Sequence, residues 1–357
     1  MIAHDSGVHA GTLSGHTVTR SAIAMAAARM SALAGARLAM KAVFLDYATV
    51  SPEGDLDPTR LKSCLPALDF RMHTKQAAIG HMIADKQVVL LNKLKMTAEL
   101  IESTRQLRLI VVSATGTNNI DLHAAARREV AVCNVVDYCT VSVVQHVFGT
   151  LLLLTHRLRD YDALVKAGAW QRGDQFCLLD YPIRELSGLT MGIVGFGTLG
   201  SAVARMARAV GMEILVANRP GGTAQPGRLD LQEMLPRVDV LSLHCPLTDV
   251  TKNLLGEREI SLMKPDSILI NTARGALINS TALALALRAR RLGGAAIDVL
   301  PQEPPVDGDP LLDGKIPNLV VTPHIAWAAR EARQRCVDEM AANVEDFLNG
   351  GRRGRVV

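Results

Sequence analysis

Aromatic side chains make up only 3% of the 357 residues, and Ala, Val, Leu and Gly dominate. A core of small and aliphatic groups suits helices packed closely on a buried parallel sheet better than a β-sandwich. No charge of one sign prevails, with 39 Lys plus Arg against 35 Asp plus Glu for a net +4. The basic residues are scattered without interleaved aromatics, so the footprint of a nucleic-acid-binding protein is missing. The small cluster Arg352, Arg353 and Arg355 reads as a solvated tail. The most apolar run, residues 147–155, falls well short of the about 20 residues that a bilayer-spanning helix requires, and no membrane segment is expected. None of the six cysteines stands in a Cys-x-x-Cys pair. That spacing fits a reduced, cytoplasmic chain without a metal site better than a disulfide scaffold.

Apolar residues form 48% of the chain and charged residues 21%, enough to bury a large core and to exclude global disorder. At roughly 150 residues per domain the length implies two domains. Residues 1–39 stand apart: they are Ala-rich, with Arg20, Arg29 and Arg37 against a single acid, Asp5, and they carry no strand signal. They read as a disordered extension, either a transit peptide or, the favoured reading, a start placed upstream of Met40.

From residue 41 to about 138, apolar runs at 42–45, 88–92, 109–112 and 130–134 alternate with helical patterns, as parallel strands joined by helices do. A helical stretch over 142–158 follows. Six further strand candidates then appear at 190–194, 213–217, 238–243, 267–271, 295–300 and 318–322, the count of a doubly wound dinucleotide-binding sheet. A last helical pattern covers 328–348 with no strand after it.

The strongest local signal is the apolar strand running into Gly195-Phe-Gly197-Thr-Leu-Gly200 and then a helix over 198–210. Gly195 permits the tight turn, Gly197 lets a pyrophosphate approach the backbone, Gly200 permits close helix packing, and the helix N-terminus offers free N–H groups. The next strand ends in Asn218-Arg219, where an acid would bind the adenosine ribose diol of NAD. Asn218 can still bond the diol and Arg219 can pair with a 2′-phosphate, so either NAD or NADP is expected. Arg274, Glu303 and His324 follow the next strands at their carboxyl ends, where open parallel sheets bind ligands. Their chemistry is coherent: Arg clamps a carboxylate and carbonyl, His donates the carbonyl proton, and Glu orients the His and favours its charged form.

With Ser113-Ala-Thr-Gly-Thr-Asn-Asn-Ile-Asp121, Leu243-His-Cys-Pro-Leu-Thr248, Asn271-Thr-Ala-Arg-Gly275, the run 298–304 and Thr322-Pro-His-Ile-Ala-Trp327, the chain resembles the D-isomer-specific 2-hydroxyacid dehydrogenases. Within them it is most similar to the glycerate dehydrogenase, or hydroxypyruvate reductase, branch. The resemblance implies catalytic Arg274, Glu303 and His324. It also implies cofactor contacts at Thr115, Thr198, Leu199, Cys245, Thr272 and Ala273, and at Asp298 near the nicotinamide carboxamide. It further implies two Rossmann-like domains: a discontinuous substrate domain, 40–137 with 325–357, and a dinucleotide-binding domain, 138–324, with the catalytic cleft between them. Close relatives in that branch often carry an acid in place of Asn218, which leaves the choice of cofactor open. A homodimer is also implied, with residues 142–158 and 170–182 as candidate interface.

Asn92 and Lys93, with residues 113–117 including Ala114 and Gly116, are expected on the substrate side, backbone N–H groups of the Gly116 turn accepting a carboxylate. Lys93 reads equally as a surface residue. The expected activity is hydride transfer between a nicotinamide cofactor and a small 2-keto or 2-hydroxy acid, either hydroxypyruvate/D-glycerate or glyoxylate/glycolate. A nucleotide-sensing, corepressor-like binding protein of the same fold is the alternative.

Overall fold

The computed structural model describes residues 40–357, and the expected extension 1–39 lies outside them. Two compact units emerge, one of residues up to Asn134 with Met340–Val357, the other Val135–Glu339. In the first, β1 (Ala42–Phe44), β2 (Leu68–Phe70), β3 (Val88–Leu91), β4 (Leu109–Val112) and β5 (Ala131–Cys133) form a parallel sheet in the order β2-β1-β3-β4-β5. β3 and β4 read Val-Val-Leu-Leu and Leu-Ile-Val-Val and are buried throughout, as strands covered on both faces must be. Asp121 accepts a hydrogen bond from the N–H of Ala124 and so caps the helix Leu122–Arg127.

β2 went unseen in the sequence because Leu-Asp-Phe is a three-residue edge strand, half-buried along its length, with no apolar run to betray it. The C-terminal tail differs from the solvated segment expected. Val356 N–H donates to Val132 O at 2.8 Å, Asn134 N–H to Gly354 O at 3.0 Å, and Val132 N–H to Val357 O at 3.5 Å, so residues 354–357 cover the free edge of β5 from the antiparallel side.

In the second unit β6 (Thr190–Val194), β7 (Glu213–Val216), β8 (Val240–Leu243), β9 (Ile268–Asn271), β10 (Gly294–Ile297) and β11 (Leu319–Val321) form a second parallel sheet, ordered β11-β10-β9-β8-β6-β7. A bridge from Leu229 to Ala217 prolongs the β7 edge. The strand order reverses at β6, between β7 and β8, which is where an open α/β sheet opens its ligand crevice. Successive side chains feed opposite layers: Leu241, Leu243 and Leu269 enter one apolar cluster, Val240, Ile268 and Ile270 the other. The helix Thr140–Thr155 lays Val143, Val147, Leu151 and Leu154 into the second cluster. It stops before the expected residue 158 because Arg157 adopts a left-handed backbone (φ +55°), after which a separate helix, Leu158–Lys166, begins.

The long C-terminal helix, Arg330–Leu348, belongs to both units in turn. Arg335 Nε donates to Tyr138 O in the second, and Asn343 Nδ2 donates to Asn134 O in the first. The chain therefore returns to the first unit inside this helix, at residue 340 rather than 325, because the first half of the helix finds its partners in the second unit.

Ending the chain at Gly351 removes three backbone hydrogen bonds and the packing of Val357, together about 3 kcal/mol. Denaturant unfolding should show that loss in the first unit's transition; an unshifted midpoint would mean that the tail contributes no stability.

Candidate active site

Gly195 ends β6 with φ +93°, and a Cβ there would lie 2.5 Å from Cys245 N and 2.7 Å from His244 O. Only glycine lets the β6 and β8 loops approach this closely. Gly197 has nothing within 4 Å of its missing Cβ, while at Gly200 a Cβ would meet Gly195 O at 2.0 Å. The first glycine thus leaves open backbone on the cavity side and the second lets the helix Thr198–Ala209 sit against the turn. Beside them lies a cavity of about 710 Å³ whose wall includes the glycine turn, Arg219 to Gly222, His244 to Pro246, and Thr251. Open N–H groups at a helix N-terminus and a wall free of side chains at Gly197 fit the pyrophosphate of a dinucleotide. Thr198 starts the helix and is exposed; Leu199 is half-buried against the core. Burial pushes the Cys245 thiol up to about 11, so it stands in this wall as a neutral group.

The β9, β10 and β11 loops meet through a second close approach. A Cβ on Gly275 would lie 2.0 Å from the carbonyl carbon of Leu300, so the absence of one allows the Arg274 loop to rest directly on the loop that carries Glu303. Asn271 locks this loop from below, donating to Arg274 O at 2.9 Å and accepting from Ala273 N–H at 3.0 Å. Arg274 uses one N–H on Ala273 O at 2.7 Å. Glu303 accepts from Leu300 N–H at 2.9 Å through Oε1, and its Oε2 lies 2.6 Å from His324 Nδ1. Arg274, Glu303 and His324 line one cavity of about 150 Å³.

His324 has a left-handed backbone (φ +56°), a conformation disfavoured for a residue with a Cβ. Its surroundings hold it there. His324 N–H donates to Asp298 O at 2.8 Å, and Trp327 Nε1 donates to His324 O at 2.9 Å. Asp298, expected near the nicotinamide, is buried beneath this loop. Its carboxylate accepts from Thr322 Oγ1 at 2.6 Å and from the N–H groups of Ile325 and Ala326, both at 2.9 Å. These bonds make Asp298 a positioning residue for His324. His146, unnoticed in the sequence, stands behind it with Nε2 3.3 Å from Thr322 Oγ1.

Other expected residues fare differently. Thr272 is half-buried with Oγ1 enclosed and unpartnered among the described residues, while Ala273 N–H is engaged by Asn271. Asn218, expected to read the ribose, gives its side chain to Asp230 Oδ1 at 2.8 Å and to Gln225 N–H at 3.0 Å, and it lines a neighbouring cavity of about 540 Å³. The loop after β7 curls back over its own tip, which no local pattern reveals.

In the first unit Asn92 is buried and its side chain donates to Thr49 Oγ1 at 3.0 Å. The organiser there is Asp46, missed in the sequence: its carboxylate accepts from the N–H groups of Asn92 and Lys93 at 2.8 and 2.7 Å. Lys93 and Thr115 are exposed, Ala114 and Gly116 half-buried; Thr115 O accepts from Asn134 Nδ2 at 2.7 Å.

Residues 148–326 match the family model of the D-isomer specific 2-hydroxyacid dehydrogenase NAD binding domain. The chain is 42% identical to a glycerate dehydrogenase of Methylorubrum extorquens over 74% of its own length and 83% of the relative's. It is 35% identical to a hydroxypyruvate reductase of Blautia hydrogenotrophica, over 87% and 98%. A D-lactate dehydrogenase from Aquifex aeolicus, solved with NAD and lactic acid, superposes with a TM-score of 0.75 at 27% identity, covering 89% of this chain and 99% of that one. The corepressor-like alternative finds no support among these relatives.

His244 supplies a pH test. Its ring is enclosed by protein, Nε2 lies 2.8 Å from Ser242 Oγ, Nδ1 has no partner among the described residues, and burial lowers its pKa from 6.5 to about 4. Between those values the unfolded chain binds a proton that the folded one refuses, so stability present above pH 6.5 is lost as pH falls toward 4. Denaturant unfolding at pH 7 and pH 4.5 should show wild type losing about 2 kcal/mol more than His244→Asn. Parallel losses in the two proteins would sink this assignment.

Proposed function

The chain belongs to the D-isomer specific 2-hydroxyacid dehydrogenase family, and from that premise we propose that it interconverts hydroxypyruvate and D-glycerate, or glyoxylate and glycolate, using NADH or NADPH. The observation that carries this reading is the grouping of Arg274, Glu303 and His324 on one cavity of about 150 Å³, room for an acid of few carbons. A nicotinamide cofactor, when bound, supplies the hydride for reduction and takes it back in oxidation.

The chain's own residues do the rest. Arg274 has one N–H on Ala273 O, and the remainder of its planar fork can bind carboxylate and carbonyl oxygen together. The contact from His324 Nδ1 to Glu303 Oε2 leaves Nε2 as the nitrogen that gives a proton to the carbonyl oxygen, or takes one from the hydroxyl in reverse. Glu303 is in turn fixed by Leu300 N–H, so the ring is oriented before substrate arrives. The unit built on β6 to β11 is assigned the cofactor; within the first unit, Lys93, Ala114 and Gly116 are assigned to anion recognition.

A cytoplasmic homodimer is part of the same proposal. Val141, Leu158, Trp170, Phe176, Leu179 and Ile183 are all exposed, Phe176 to 95%, and such an apolar set favours burial against a second copy. Light scattering should find a dimer that Phe176→Asp with Leu179→Asp weakens; a monomeric wild type would overturn this.

A panel of 2-keto acids with both cofactors tests the reaction itself: activity should peak with hydroxypyruvate or glyoxylate. Arg274→Lys should keep the fold yet lower kcat/KM by about 10² or more, since a point charge replaces a two-pronged clamp. Near-wild-type kinetics in that variant would remove Arg274 from the site.

A further inference from the structure

The helix Thr140–Thr155 buries three hydroxyl side chains, Ser142, Thr150 and Thr155. Two of them bond within the helix: Thr150 donates to His146 O at 2.8 Å and Thr155 to Leu151 O at 3.0 Å, each to the carbonyl four residues earlier, as helical hydroxyls ordinarily do. Ser142 does not. The carbonyl four residues before it, Tyr138 O, receives Arg335 Nε, and Ser142 Oγ donates instead to Ala326 O at 2.6 Å, 184 residues away in the chain. Ala329 N–H closes on the same oxygen at 3.4 Å. A serine only 8% exposed thus grips both ends of the turn 326–329, which follows directly on His324.

Trp327 stands inside that turn. Its indole Nε1 donates to His324 O at 2.9 Å, and its ring meets Tyr138 edge to face, with centroids 6.3 Å apart. The left-handed backbone of His324 is therefore held at its N–H by Asp298 O and at its carbonyl by this indole. The Asp298 carboxylate holds the N–H groups of Ile325 and Ala326, whereas the carbonyl of Ala326, in the peptide that leads into Trp327, is held by Ser142.

Resting on the reading of His324 as the proton donor, we propose that Ser142 is a positioning residue for that proton transfer, acting through Trp327. By fixing the peptide from which Trp327 springs, it aims the indole at His324 O and keeps the imidazole on Glu303. Without the hydroxyl, Ala326 O is left buried and short of a donor, and the turn shifts toward whatever position satisfies it. A displacement on the order of 1 Å is enough to slow a reaction that depends on aligned groups. Arg274 and the glycine turn have their own supports, Asn271 and the His244–Cys245 backbone, so the binding of acid and cofactor is spared.

Single-turnover kinetics on the full chain, read by the loss of reduced-nicotinamide fluorescence, test this. Ser142→Ala should slow the step about tenfold or more, with cofactor affinity and the KM for the keto acid unchanged. A second reading needs no turnover: with Trp170→Phe as background, Trp327 is the one indole in the chain, and Ser142→Ala should raise its quenching by acrylamide. A wild-type rate in Ser142→Ala, or a slowed one with cofactor affinity lost in parallel or with quenching unchanged, would overturn the proposal. If Ser142→Ala does not fold, Trp327→Phe takes its place, removing the indole N–H and keeping an aromatic ring; an undiminished rate there is equally fatal. A wild type inert towards every 2-keto acid would defeat the proposed reaction, and the quenching comparison alone would then decide whether Ser142 holds the turn.

Discussion

One buried carboxylate underlies the reactive geometry. Asp298, at the end of β10, is 2% exposed, and a charge so placed is costly unless it is fully engaged. Here Thr322 Oγ1 and the N–H groups of Ile325 and Ala326 converge on it, each a charged hydrogen bond on the order of 1.5–3 kcal/mol. That sum comfortably exceeds the cost of a left-handed backbone at His324, about 1–3 kcal/mol. The loop is held in the one shape that brings the imidazole to Glu303 at 2.6 Å. The Asp298 carboxylate thereby fixes the loop that carries His324.

The second constraint is steric. Parallel strands deliver their carboxyl ends to one edge of the sheet, but the loops beyond them must still approach within van der Waals distance to act together. Glycine makes that approach at two places: Gly195 against the backbone of His244 and Cys245, and Gly275 against Leu300. The first joins the β6 and β8 loops around the larger cavity; the second joins the β9 and β10 loops around the smaller one. A single added methyl at either place would push two loops apart and spoil a site whose residues are otherwise unchanged.

Charge is arranged on a coarser scale. Asp230, Glu233 and Glu259 line one side of the turn after β7, and Arg228 the other. Two hydrogen bonds at Asn218, one donated to Asp230 and one accepted from Gln225 N–H, hold the fold-back that brings this about. Within a cavity walled by protein such a separation acts more strongly than it would on an open surface.

The chain's local chemistry by itself determined the class of the fold and singled out the candidate reactive residues. Buried parallel strands are continuous apolar runs, and the glycine turn, Arg274, Glu303 and His324 all follow such runs, so each announces its place through its immediate neighbours. Tertiary structure decided what depends on partners distant in sequence. β2 exists because β1 offers it an edge, and the tail 354–357 is ordered by β5 more than 200 residues earlier. Thr49 takes a hydrogen bond from Asn92 across more than 40 residues. Asp298 supports His324 rather than standing free, because its lone pairs are met by a loop that arrives from β11. Asn218 finds Asp230 and the N–H of Gln225 because the loop after β7 folds back. Burial patterns repeat every two or four residues and survive in one dimension, whereas a hydrogen-bond partner is chosen by whatever chain the fold brings within about 3 Å.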